Sequence, residues 1–155
     1  MIYAAAGDPV PDRDGAEPVD LDWERGGNLN RCREVGDVDA AFDRSEEHVG
    51  VALIALVHNN TDTDAVLSRV ARGLRSSNPE TRRQSLLALM HAARLHGRVD
   101  SITLELLHGL LHDCTPVSVG SPYQVRGTAA QTVGDLQAFL PPEQLPAWVN
   151  HFTDT

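Results

Sequence analysis

Glu105, His108 and His112 follow one another at steps of three and four residues in "ITLELLHGLLHD", a spacing that sets all three on one side of a helix. Two imidazoles one turn apart beside a carboxylate form a donor set that can hold a divalent metal. The order is not HExxH, however, and no third ligand is assured nearby, so the sequence reads here as the solvated side of an amphipathic helix. No metal and no cofactor are expected. His91 and His96 lie at the edge of the preceding helix, where packing or a contact with the helix C-terminus accounts for them. Cys114 follows His112 and Asp113, but a cysteine in a helix-end loop without an activated pair is no nucleophile. Asp62 and Asp64 belong to a capping turn, and "RGGN" precedes no helix of the kind a phosphate loop requires. No set of residues specifies a reaction, and an enzyme is not expected.

These residues sit on an apolar framework with a helical period. "DRSE" offers a capping box, Asp43 with Glu46, ahead of "HVGVALIALVH", whose stripe is Val49, Ala52, Leu53, Leu56 and Val57. "NNTDTD" ends that helix and caps the next, "AVLSRVARGLRSS". Val66, Leu67, Val70, Ala71 and Leu74 form its stripe, and Arg69, Arg72 and Arg75 its opposite face. "SNPETRRQSLLALMHAARLHGRVD" has Asn78 as cap, Pro79 in the first turn, a stripe of Leu86, Leu89, Met90, Ala93 and Leu95, and Gly97 as a left-handed stop. Asp100 or Ser101 caps a fourth helix with Ile102, Leu106, Leu107, Leu110 and Leu111 inward. Ser121 and Gln124 suggest a second capping box around Pro122, starting a fifth helix that runs to about Leu140. Short turns with Trp148 and Phe152 then cover the last apolar edge. Residues 1–36, rich in Pro, Gly, Asp and Glu, read as an acidic irregular arm, with Leu21, Trp23 and Leu29 placed to plug the end of a helical domain over 37–155.

The first helix pair repeats. A shift of thirty-three residues lays Leu56 on Leu89 and His58 on His91; a shift of thirty-six lays Val66 on Ile102, Val70 on Leu106, Gly73 on Gly109 and Leu74 on Leu110. Periods of this size mark helical solenoids, in which hairpins that cannot bury their own stripes stack into one core.

Charge narrows the partners. The formal net charge is −9, and all 13 basic residues are arginine, a composition that reads as codon bias of a GC-rich bacterial genome. Residues 1–47 hold thirteen of the 22 acids and five arginines, so that third carries −8 of the total. Such a distribution argues against nucleic acid, which needs a basic face, and suits a basic protein partner. No apolar run is long enough for a membrane span, and the first residues lack a signal peptide's basic and apolar regions. With two cysteines outside any metal or CxxC spacing, the expectation is a cytoplasmic protein with free thiols, monomeric when unbound.

"NPETRRQSLLAL" resembles the HEAT-repeat signature, a turn with Asp-Pro, then Arg, then an Ala/Leu ladder; "SPYQVRGTAAQTV" is similar to a degenerate second copy. The resemblance spans about residues 44–140. It implies an all-α solenoid of stacked antiparallel helix pairs, with Arg82, Arg83 and Arg126 as structural residues bonding the turn acids of neighbouring repeats. Asn78 replaces the usual Asp, which weakens that ladder. Short acidic HEAT-type proteins of bacteria are similar to immunity proteins that bind and block one cognate secreted toxin. That implies a non-catalytic binding module whose partner is a protein, a basic toxin domain for instance. The alternative is an adaptor or assembly factor for a housekeeping complex. In such a stack the second helices line the concave face, which places Arg69, Arg72, Arg75, Glu105, His108 and His112 toward a partner, with Asp37, Asp39, Glu46 and Glu47 as an acidic patch beside them. Arginine and tryptophan are the types that most often dominate interfaces.

Overall fold

The longest helix shows how local signals set the architecture. In the computed structural model, which describes residues 20–154, α4 runs Pro79–His96. Asn78 accepts from the Glu80 N–H at 2.9 Å, Pro79 fills the first turn, and Gly97 leaves in the left-handed region at φ 74°. The other elements are α1 (Val35–Asp43), α2 (Val49–Asn59), α3 (Thr63–Leu74), α5 (Ser101–Leu110), α6 (Val125–Phe139) and the short α7 (Ala147–Asn150). Single 3₁₀ turns lie at Leu29–Arg31 and Pro142–Gln144. No strand occurs among the described residues.

The helices pack in pairs. α4 lies against both α2 and α6, while α3 lies against α1 and α5; α2–α3, α3–α4 and α5–α6 join these two sets. One aliphatic core results, with Leu53, Leu56, Leu67, Leu86, Leu89, Leu107 and Leu136 wholly buried. Close approach needs small side chains at two places. A Cβ on Gly50 would overlap Gln84, and one on Gly73 would overlap the Ser85 hydroxyl.

Several expected positions shift. Asp62 caps α3 as read, and all five stripe residues of α3 are buried. On α4, Met90 is only half-buried and Leu95 is exposed; Ser85, Ala88 and Ala92 take the inner face instead. A helix gripped by neighbours on several sides buries its small residues, because they permit the shortest interaxial distance. On α5 the Asp100–Thr103 capping box forms, but Ile102 is 52% exposed, and the wholly inward residues are Thr103, Leu104 and Leu107. Burial therefore matches α3 to α5 at a shift of thirty-seven, with Val66 on Thr103, Leu67 on Leu104 and Val70 on Leu107, not thirty-six. Gly109 has open space where Gly73 is tightly packed, so pairing those two glycines set the register wrongly.

Neither of the two further capping boxes exists. Asp43 ends α1 rather than starting a helix. Ser45 turns the chain at φ 57°, and the Glu46 N–H donates back to the Ala41 carbonyl at 2.9 Å. α2 then begins after His48 without a side-chain cap. α1 itself was not expected. It buries Val38 and Ala41 and sets Val35 and Phe42 against the core, a helical spacing hidden among acids and a glycine. At the other site Ser121 accepts from the Tyr123 N–H, while Pro116 and Gln124 form an antiparallel bridge that folds 115–124 back on itself. α6 starts only at Val125.

Of the expected arm, residues 1–19 lie outside the described residues. Residues 20–36 pack on the body: Leu29 and Cys32 are fully buried, Leu21 and Trp23 are half-buried, and the Asn59 amide donates to the carbonyls of Asn30 and Cys32 at 3.1 and 2.9 Å. At the far end Trp148 and Phe152 cover the core edge, and the Gln137 amide holds the Val149 carbonyl at 2.7 Å.

Candidate protein-docking surface

The charged residues expected to meet a partner fall into two groups. One group is engaged within the chain. The Asp39 carboxylate receives two bonds from Arg69, Nη2 at 2.7 Å and Nε at 3.1 Å, and Arg72 pairs with Asp43 at 2.7 Å while lying 4.8 Å over the Phe42 ring. α1 and α3 are thus clamped by opposite charge, and the hydrogen bond from Arg69 holds the Asp39 carboxyl below its ordinary range. Glu46 is held by Arg44 at 2.9 Å. The other group makes no ion pair with an oppositely charged Arg, Asp or Glu among the described residues: Asp37 and Arg75 are exposed, and Glu47 is 82% exposed with His48 at 4.0 Å.

Glu105 on α5 and His112, in the turn just after it, are both exposed. His108 does not point to them as a ligand set; its ring lies flat on Trp148, centroids 4.1 Å apart and 7° from parallel. Among the described residues no three His, Cys, Asp or Glu side chains gather to hold a metal ion. His96 is a packing residue: Nε2 donates to the Val57 carbonyl at 2.9 Å and Nδ1 accepts the Thr63 hydroxyl at 2.8 Å. His91 lies 4.9 Å from His58, ring to ring, and burial pushes its imidazole below the ordinary range, with the His58 and Arg94 charges adding. Cys32 and Cys114 are both free thiols. Burial raises Cys32 to about 11, whereas Cys114 is exposed.

The arginines singled out as structural divide likewise. Arg82 bonds Asp113, past the end of α5, at 2.9 Å, and also donates to the Ser76 carbonyl at 2.8 Å. Asp113 is pushed up by burial but pulled further down by the Thr115 hydroxyl and N–H and by Arg82. Arg83 pairs with Glu80 through two bonds. Arg126 makes no side-chain bond or ion pair among the described residues.

Of the unpaired charged residues, Glu47 stands at the end of the molecule where α2, α4 and α6 all begin. A groove of about 1640 Å³ opens there, with Glu47 and His48 at one side, Asn78, Glu80 and Arg83 on its middle wall, and Arg126 at the other side. The 115–124 fold forms its rim. Val117 N–H donates to the Tyr123 carbonyl and Val125 N–H to the Thr115 carbonyl, each at 3.0 Å, so the rim is braced from both ends. At its tip Val119 is fully exposed and Tyr123 is 73% exposed. Rigid, exposed apolar and aromatic groups beside an open groove suit a macromolecular surface, where such side chains lose little entropy on contact. No apolar periodicity in the sequence marks this rim. Its one local signal was the pair of prolines, Pro116 and Pro122, flanking Gly120. No family model, no curated protein and no solved structure matches the chain.

Proposed function

We propose that the chain is a non-catalytic protein-binding module of HEAT-like stacked hairpins, and specifically an immunity protein that binds and neutralises a secreted toxin. The observation that carries the binding reading is the open groove with Val119 and Tyr123 exposed on its braced rim. Singly exposed apolar residues are ordinary, but two large ones on a rigid tip beside a cleft mark an interaction site. The toxin reading rests on the resemblance to HEAT-type immunity proteins and on the acidic first third. It also takes support from Arg82 to Asp113, the kind of arginine-to-turn-acid contact that stacked HEAT hairpins use. In this reading Asp37 and Glu47 steer a basic toxin domain, because the other two acids of the patch, Asp39 and Glu46, already face arginines.

The test has two stages. Tagged protein captures partners from its native organism at low and high salt, and the captured partner is then assayed for toxicity with and without an equimolar amount of this chain. A stoichiometric toxin domain, released at high salt and silenced by the chain, is the expected result. Reversal of Asp37 and Glu47 to arginine slows association and flattens its salt dependence. Capture of a housekeeping assembly with no toxicity to suppress replaces this reading with the adaptor.

A further inference from the structure

All 13 Lys-or-Arg positions are arginine, and most of those among the described residues pair with an acid. Arg44, Arg69, Arg72, Arg82, Arg83 and Arg98 each stand within an ion pair. Arg126 differs. It sits in the first turn of α6, which contains no acid, so its cation stands at the helix end that disfavours positive charge. Its main chain is nevertheless fixed, since the Arg126 N–H donates to the Asp113 carbonyl at 2.8 Å. A fixed backbone, an exposed guanidinium and no side-chain partner among the described residues describe a residue open to a counter-charge from a bound partner.

The surroundings define that counter-charge. Arg126 and Gly127 form a wall common to the groove and to a second cavity of about 570 Å³. Beyond the wall the second cavity is closed by Trp148, backed flat by His108, and by Phe152. Gly127 has nothing within 4 Å of where a Cβ would stand, so α6 leaves room there for an approaching backbone. Asp154 lines both cavities as well, yet it makes no ion pair with Arg126.

We propose that Arg126 anchors an acidic side chain, Asp or Glu, of an extended partner segment that crosses from the groove into the Trp148 cavity, where a neighbouring apolar side chain of the same segment is seated. A guanidinium takes a carboxylate through two parallel bonds, which fixes orientation as well as affinity. Trp148 and Phe152 offer the apolar seat beside it. Glu47 stands at the opposite side of the groove, so the segment runs with its acid toward α6 and any base toward α2. This inference rests on the protein-binding reading and adds the chemistry and direction of the bound segment.

A display library of random dodecapeptides, selected on the immobilised full-length chain, tests it without the natural partner. The expected selection fixes one Asp or Glu next to an apolar residue. On R126E the same position changes to Arg or Lys. A synthetic peptide of the selected sequence binds R126E about ten to a hundred times more weakly than the unaltered chain. R126K retains an intermediate affinity, while R94E, at the far end of α4, stays within about twofold. D154N binds as tightly or more tightly, because it removes a competing negative charge. The proposal is overturned if no sequence is enriched, if the enriched sequences lack a fixed acid, if R126E selects the same sequences, or if D154N abolishes binding. A toxin bound equally well by R126E removes this anchor and leaves the immunity reading standing. A clear acidic consensus with no toxin in the cell does the reverse.

Discussion

Replacement of Gly73 by alanine places one methyl group at the tightest approach between α3 and α4. Its Cβ would overlap the Ser85 hydroxyl oxygen and stand 2.9 Å from Leu53 Cδ2 and 3.0 Å from Ser85 Cβ. None of these atoms gives way easily. Leu53 and Ser85 are both fully buried, and the Ser85 hydroxyl is committed to the Thr81 carbonyl at 2.7 Å. Overpacking of this kind costs about 3 kcal/mol at its upper range. Alanine returns roughly 1 kcal/mol through helix propensity. The net is about 2 kcal/mol of lost stability, read as a midpoint lowered by about 4–8 °C for a domain of this size. Gly109→Ala is the control, because nothing lies within 4 Å of its Cβ position. It should gain about 0.5–1 kcal/mol. Thermal and urea unfolding followed by circular dichroism measure both, and Gly73→Ala with Ser85→Ala should recover only part of the loss, since Leu53 remains in place. A Gly73→Ala protein as stable as the unaltered chain would refute the packing argument.

Asp39→Asn should cost about 0.5–1 kcal/mol after allowance for solvent screening, as its side chain is 36% exposed. Since Asp39 is held below its ordinary pKa, its contribution is present above about pH 4 and is lost as pH falls through the folded value. Unfolding titrations of the variant should therefore show a shallower acid limb. His91 acts in a higher window. Its pKa is lowered in the fold, so the unfolded chain protonates first and stability declines as pH drops below about 6.5. His91→Gln flattens the decline in stability below about pH 6.5 in urea titrations. A thiol-reactive dye at pH 8 should label Cys114 at once and Cys32 only after denaturant is added, as burial holds the Cys32 thiol at about 11. Rapid labelling of both thiols in the native protein would contradict the burial of Cys32.

What could be read from sequence was what the chain decides locally. Asn78 with Pro79 and Gly97, Asp62, and Asp100 each act within a few residues, and each helix end they mark is where it was expected. The same capping pattern misled at Asp43 and Ser121. There the backbone groups that a cap would satisfy find other partners: Ala41 for Glu46, and the Thr115–Tyr123 fold for the start of α6. α1 was missed because its stability is tertiary. Nine residues hold as a helix through Val38 and Ala41 packed on the core and through Asp39 and Asp43, which meet arginines some thirty positions away. For the same reason Arg69 and Arg72, read as a surface for a partner, could not be seen to pair within the chain. Arg126 is the converse case. A repeat pattern suggests a structural role for it, and only the fold shows that no acid among the described residues pairs with it.

The central position of α4 has a consequence for how the molecule comes apart. In extended repeat arrays each unit leans only on the next, and ends can fray while the middle stands. Here α4 touches α2, α3 and α6, and its inner face supplies much of the common core. It acts as a keystone. Removing either terminal hairpin strips apolar cover from α4, and cutting within α4 leaves neither fragment with a core of its own. The chain therefore behaves as one cooperative unit that cannot be shortened hairpin by hairpin, and any lengthening has to be added outside α2 or α6.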